Sequence, residues 1–122
     1  MTTDQRDAPR KPAGETLHLV PEPVWEARRQ APAYTPEAFE REGFIHCTDG
    51  DANLLGVANT FYLDDPRPYL VLVLDLDRLR SPVRYEDPAQ IYPHIYGPIN
   101  REAVVAVRRA VRLADGSFSK IV

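Results

Sequence analysis

The three histidines of this 122-residue chain all lie in short apolar segments rather than in polar loops. They are His18, His46 and His94. Imidazole titrates near neutral pH, so it can transfer protons, hydrogen-bond to ligand oxygens or ligate a metal. Three imidazoles in segments of one kind predict a binding or catalytic surface.

Strand alternation sorts the side chains of these segments into two sets, because successive strand residues point to opposite faces. The first set is suited to a core: Leu17, Leu19, Ile45, Cys47, Pro93 and Ile95. The second set carries imidazole, aromatic and hydroxyl groups: His18, Phe44, His46, Thr48, Tyr92, His94 and Tyr96. If the first set is buried, we expect the second set to line a single polar cleft on one side of a sheet.

The same alternation bears on two other kinds of site. Cys47 points away from His46, so we predict a buried, inert thiol rather than a catalytic nucleophile. Three imidazoles can bind zinc with an open fourth position, and distant strands can converge on a metal. The sequence has no compact ligand spacing, however, and we predict no metal site. It also has no glycine-rich phosphate loop, so strand side chains and a helix start would have to hold a nucleotide.

Length and composition favour a single domain of ordinary solubility. Residues 1–15 contain almost nothing apolar, so we expect a disordered tail followed by one domain at 16–122. The net charge of -3 gives no long-range attraction for nucleic acid. The chain has one cysteine, no apolar run near the roughly 20 residues that span a bilayer, and no apolar signal-peptide stretch. These features predict a cytoplasmic protein with no membrane partner and argue against nucleic acid as a partner.

The hydrophobic pattern predicts an α+β fold with helices mainly in the N-terminal half. Short helices are expected near Pro23 and from Thr35 to Gly43, and a longer one after Asp49 or Asp51. Strands are expected at 16–20, 44–48, 69–76, 82–85, 93–98, 103–113 and 118–122. The segment 69–76 is apolar throughout, which indicates a central strand covered on both faces.

Four motifs together resemble one family. They are Leu17-His18-Leu19, Gly43-Phe44-Ile45-His46-Cys47-Thr48, Asn59-Thr60-Phe61-Tyr62 and Tyr92-Pro93-His94-Ile95-Tyr96-Gly97-Pro98. In these motifs the chain resembles the domain of unknown function 952 family of small bacterial proteins, over most of its length. That family is in turn similar to the ADP-ribosyltransferase superfamily, and in layout to the RNA 2'-phosphotransferases.

The resemblance implies an ADP-ribosyltransferase-like fold, with a split sheet of short strands around an NAD-derived ribose. It places His18 and His46 at matching strand positions and Gly97-Pro98-Ile99 at a matching turn. The winged lobe of the phosphotransferases is absent, so their RNA substrate does not transfer. Arg41 is the nearest counterpart of their arginine before the second histidine. The best candidate for the acidic residue of many ADP-ribosyltransferases is Glu86.

Such chemistry assigns roles to the polar set. Cleavage of a nicotinamide–ribose bond develops positive charge on the sugar, which a carboxylate such as Glu86 would stabilise. The predicted catalytic residues are His46, His94 and Glu86. The predicted residues for binding NAD or a related nucleotide are His18, Phe44, Thr48, Tyr62 and Tyr96. Two alternatives stay open: a histidine-dependent acid–base enzyme acting on a small metabolite, and a noncatalytic module that binds a small molecule or a protein.

Overall fold

The computed structural model describes residues 14–122, so most of the expected tail lies outside the described residues. Glu15, counted with that tail in the prediction, is the first residue of a strand. The strands are β1 (Glu15–Pro21), β2 (Ala33–Tyr34), β3 (Ile45–His46), β4 (Tyr69–Asp75), β5 (Val83–Tyr85), β6 (Pro93–Ile95), β7 (Ile99–Asn100), β8 (Val104–Arg112) and β9 (Phe118–Ile121). The helices are α1 (Glu22–Ala27), α2 (Phe39–Glu42) and α3 (Asp51–Phe61), and a 3-10 turn spans Arg101–Ala103. No helix in this part of the chain is long and apolar enough to cross a membrane.

The largest sheet has four antiparallel strands in the order β1-β4-β8-β9. Its central strand β4 is buried on both faces, as its unbroken apolar sequence predicts. Leu70, Leu72 and Leu74 pack into one hydrophobic cluster, and Tyr69, Val71 and Val73 pack into a second cluster on the other face. The fold therefore has two cores that share one strand.

A three-stranded antiparallel sheet, β3-β6-β5, packs against the first cluster, and a two-stranded sheet pairs β2 with β7. The four-stranded and three-stranded sheets meet at one bridge. There the Leu17 N–H donates to the Thr48 carbonyl at 3.0 Å, and the Thr48 N–H donates to the Leu17 carbonyl at 2.8 Å. Beyond this bridge β1 and β3 separate. The predicted α+β class is confirmed.

The helix α3 is fixed on the four-stranded sheet by apolar and polar contacts. Leu54 and Ala58 are buried in the second cluster. The side-chain amide of Asn59 donates to the Phe118 carbonyl at 2.9 Å and accepts the Phe118 N–H at 2.8 Å. Asn59 thus occupies the hydrogen-bonding groups of an edge strand, where an added strand would otherwise pair.

Two local predictions need correction. The helix expected from Thr35 begins only at Phe39, because Tyr34 pairs with Ile99 in an extended conformation and no side chain caps the helix. It ends as predicted at Gly43, whose φ of 81° is in the left-handed region that glycine adopts readily. The strand β2 was not predicted, since two residues carry no periodic signal.

Candidate functional site

A cleft of about 470 Å³ opens where β1 and β3 separate. Its floor is the outer edge of β1 around Leu19. The segment 36–42 contributes to one wall, and α3 together with the segment 61–69 contributes to the other. Five of the predicted site residues line it: His18, Phe44, His46, Thr48 and Tyr62.

The edge of β1 presents backbone groups to this cleft. In an antiparallel ladder the N–H and C=O of successive residues point alternately to the two sides of a strand. Leu17 directs both groups away from β4, because both are bonded to Thr48. Two residues further on, Leu19 must direct its N–H and C=O the same way, into the cleft, where neither group bonds to another residue of 14–122. A ligand with adjacent donor and acceptor groups can bind such an edge as an added strand does.

His18 lies beneath β3 as an uncharged floor residue. Its Nδ1 donates to the His46 carbonyl, with the two atoms 2.7 Å apart, because a carbonyl can only accept. Its Nε2 therefore accepts from the Tyr34 hydroxyl, 3.3 Å away. Burial lowers the pKa of His18 from 6.5 to about 4, although the bond to His46 opposes this effect. The ring is neutral at pH 7 and is poorly suited to donate a proton to substrate.

Two hydroxyl groups in the cleft have no hydrogen-bond partner within residues 14–122. Thr48 is only 4% exposed, yet all of its hydrogen bonds within residues 14–122 are made by the backbone. The phenol of Tyr62 is likewise unbonded, and its pKa is raised by burial and by the Glu42 carboxylate. Buried polar groups are normally bonded, so these two hydroxyls are the natural contacts for a ligand.

The cleft walls carry a surplus of negative charge. The carboxylates are Glu37, Glu42, Asp64 and Asp65. Arg67 is the one Lys or Arg side chain of the described residues that lines the cleft. Arg67 is already engaged, at 2.7 Å from Asp65 and 3.2 Å from Glu37, and its guanidinium holds the pKa of Asp65 well below its usual range. This charge balance favours neutral or cationic ligands over anionic ones.

A second cluster covers the outer face of the three-stranded sheet. His94 Nδ1 lies 3.1 Å from the Glu86 carboxylate, which also accepts a bond from the Tyr96 hydroxyl. These two bonds lower the pKa of Glu86. Phe44 stacks on His94 with ring centroids 4.3 Å apart, and His46 meets His94 at 5.3 Å. His46 pairs with Glu42 at 3.3 Å, so two imidazole–carboxylate pairs able to exchange protons stand side by side.

The single cleft expected from strand alternation is therefore divided in two. Alternation holds in β3 and β6, where Ile45 and Ile95 are buried while His46 and His94 face outward. However, β6 lies behind β3 as seen from β1, because the strand order is β3-β6-β5. Three predicted site residues consequently lie on the outer face rather than in the cleft wall: His94, Tyr96 and Glu86. His46 and Phe44 belong to both regions.

The sequence analysis missed two features of the cleft. Tyr34 lies in a strand too short to predict, and its bond to His18 depends on the pairing of β2 with β7. The open backbone at Leu19 depends on the point where two sheets separate, which leaves no compositional signal. The prediction for Cys47 is confirmed, since the residue is 3% exposed and burial raises the pKa of its thiol. Within residues 14–122 no three His, Cys, Asp or Glu side chains form a group able to hold a metal ion.

The chain matches one family model, and its fold is similar to solved structures of one protein. The family described as "Protein of unknown function (DUF952)" matches residues 19–107. The chain is similar to the crystal structure of protein CC0527 from Caulobacter crescentus, with a TM-score of 0.73 at 17% identity over 87% of this chain and 94% of that one. The solution NMR structure of CC0527 gives a TM-score of 0.66 at 18% identity over 84% and 89%. No curated protein matches the sequence.

Proposed function

We propose that this chain, which belongs to the DUF952 family of proteins of unknown function, binds the nicotinamide-riboside portion of NAD or a closely related nucleoside in its cleft. NAD is the ligand that the resemblance to ADP-ribosyltransferases implies. The geometry of the cleft supports the nucleoside end of that molecule, for three separate reasons.

The observation that carries the proposal is the open edge of β1. A primary carboxamide offers an N–H donor and a C=O acceptor side by side. The C=O and N–H of Leu19, which point into the cleft, complement this pair in the way that two strands complement each other. Nicotinamide carries such a carboxamide on a flat ring.

The charge of the cleft fits the same group. In NAD the nicotinamide ring is a pyridinium cation. The described lining of the cleft has more carboxylates than basic side chains, since Arg67 is its one Lys or Arg and is already paired with Asp65 and Glu37. Glu42 and Asp64 are the carboxylates that do not pair with Arg67. The low dielectric of a partly enclosed cleft strengthens their attraction for a cation. A phosphate group would gain nothing in the same position.

The ribose can form hydrogen bonds with the two cleft hydroxyls that have no partner within residues 14–122. Thr48 and Tyr62 can each donate to and accept from the 2' and 3' hydroxyls of a ribose. The neutral His18–Tyr34 pair holds β3 against β1 and so keeps Thr48 in place. The site thus offers a backbone edge for the carboxamide, negative charge for the ring and hydroxyls for the sugar.

A matched pair of isosteric variants tests the proposal by isothermal titration with nicotinamide riboside. Thr48→Val removes a hydroxyl that has no bond within the described residues, so folding should be unaffected while affinity falls about fivefold, the worth of one hydrogen bond of ~1 kcal/mol. Thr16→Val is the control, because its hydroxyl bonds to Asp49 at 2.6 Å and does not line the cleft. Thr16→Val should lower stability and leave affinity unchanged. Equal effects of the two variants on affinity, or no binding to the wild type, would contradict the proposal.

Cleavage of the bound ribose follows as an extension of the proposal. The bond from C1' to the ring nitrogen breaks with its electron pair on nicotinamide, and water adds to C1' and loses a proton. Glu86, predicted for this role, bonds to His94 and Tyr96 on the outer face. Glu42 lines the cleft and is the better placed carboxylate to stabilise the cationic sugar. Release of nicotinamide from NAD incubated with the protein, and its loss in Glu42→Gln, is the expected signature.

A further inference from the structure

A second hollow of about 640 Å³ adjoins the cleft along α3. Its own lining includes Ala52, Gly56 and Thr60 of α3 and Tyr92 from the segment before β6. It shares five lining residues with the cleft: His46, Thr48, Val57, Phe61 and Tyr62. The two hollows therefore lie next to each other on either side of these five residues.

The chemistry of the second hollow differs from that of the cleft. None of its described lining residues is an Asp, Glu, Lys or Arg, whereas the cleft carries four carboxylates. Its polar groups are mostly hydroxyls, together with the His46 imidazole that it shares with the cleft, the Cys47 thiol and the amide of Asn53. The Asn53 side-chain nitrogen donates to the Asp49 carbonyl, and its oxygen has no partner in the described part of the chain. Such a lining accepts an uncharged ring that has hydrogen-bonding atoms at its edge.

Two exposed aromatic rings flank this hollow. Phe61 is 72% exposed at the end of α3, and Tyr92 is 36% exposed in the segment before β6. Neither ring contacts another aromatic ring in the described part of the chain. The exposure of Phe61 leaves a large apolar side chain uncovered by the rest of the described chain. A flat ligand ring placed between the two would cover both and gain stacking contacts.

We propose that the second hollow binds an uncharged, flat heteroaromatic ring at the far end of a ligand whose other end lies in the cleft. This inference rests on the proposed function and specifies it further. The acidic cleft takes the cationic ring of the ligand, and the uncharged hollow takes the neutral one. A dinucleotide with one pyridinium ring and one neutral base has this arrangement of charge.

Gly56 allows the hollow to be filled without disturbing the fold. It lies within α3, and a Cβ added there meets no atom within 4 Å. Replacing a helical glycine also stabilises a helix, by up to about 1 kcal/mol. Gly56→Leu should therefore fold normally and project into the second hollow. Ala27→Leu on α1 is the matched control, since it adds an exposed leucine on a helix remote from both hollows.

The test compares NAD with nicotinamide mononucleotide, which lacks the neutral base. On the wild type we expect NAD to bind at least tenfold more tightly. Gly56→Leu should abolish this difference by weakening NAD alone, and Ala27→Leu should preserve it. Equal affinities on the wild type, or a difference that survives Gly56→Leu, would overturn the second subsite.

The two proposals fail in distinguishable ways. If the wild type binds none of the nicotinamide compounds, the proposed function fails. The second hollow is then tested alone with adenosine, which supports it by shifting the backbone amide resonance of Gly56 in the wild type. Absence of that shift would overturn the second hollow as well.

Discussion

The buried His18 and the outer pair of His46 and His94 show how one residue type takes opposite properties from two regions of one small fold. His18 is enclosed between β1 and β3, has both ring nitrogens bonded and stays neutral. His46 and His94 face solvent and each stands beside a carboxylate. The exposure and the bonding partners of an imidazole in an apolar strand therefore depend on whether the strand is buried on one face or on both.

The largest expected effect of the difference between His18 and the outer pair is on the pH dependence of the free energy of unfolding. The folded-state pKa of His18 is lowered to about 4 from 6.5, so the unfolded state binds the proton more tightly. The stabilising effect of neutral His18 is complete above pH 6.5 and is lost as the pH falls toward 4. We expect the free energy of unfolding to fall by about 2 kcal/mol between pH 7 and pH 5.

Chemical denaturation at the two pH values measures this effect. His18→Gln should remove most of the dependence, because glutamine has no titrating group. Asn59→Ala is the control, because it removes two hydrogen bonds to Phe118 but no titrating group, and it should retain the wild-type dependence. A wild-type stability that does not change over this range would show that His18 is not held neutral by burial.

A smaller effect, on ligand affinity, should distinguish His46 from His94. His46 lines the cleft and pairs with Glu42, whereas His94 lies behind it on β6. His46→Ala should therefore weaken binding of nicotinamide riboside about fivefold, and His94→Ala should change it by less than twofold. The His46 side chain is about half exposed, so its substitution should cost under ~1 kcal/mol of stability. His94→Ala should cost more, because it also removes the stacking on Phe44 and the bond to Glu86. An equal loss of affinity in the two variants would show that the cleft and the outer face act as one site.

Elements with a long periodic signal were predictable from the sequence. The strand predicted at 69–76 is found at Tyr69–Asp75, and the strand predicted at 103–113 is found at Val104–Arg112. The helix expected after Asp49 or Asp51 is found at Asp51–Phe61. The apolar run of β4 and the apolar stripe of α3 must be buried, and each fits one type of element. In β8, Val105 and Val107 are exposed, and its many β-branched valines are what favour a strand.

The site was predictable only in part, because side-chain alternation gives a face but not a position within the fold. Alternation correctly separates Ile45 from His46 on a strand with one buried face. It fails on β1, where both Leu17 and His18 are buried, since clusters pack on both sides of the sheet. It also cannot show that β3 lies between β1 and β6, and this strand order is what excludes His94 from the cleft.

The central claim is that the open edge of β1 at Leu19 recognises a carboxamide, and one pair of titrations tests it most directly. Nicotinamide riboside and nicotinic acid riboside differ only in that the second has a carboxylate, which cannot donate to the Leu19 carbonyl and is repelled by the acidic cleft. The account predicts that the amide binds the full chain at least tenfold more tightly than the acid. Equal affinity for the two compounds, or tighter binding of the acid, would contradict it.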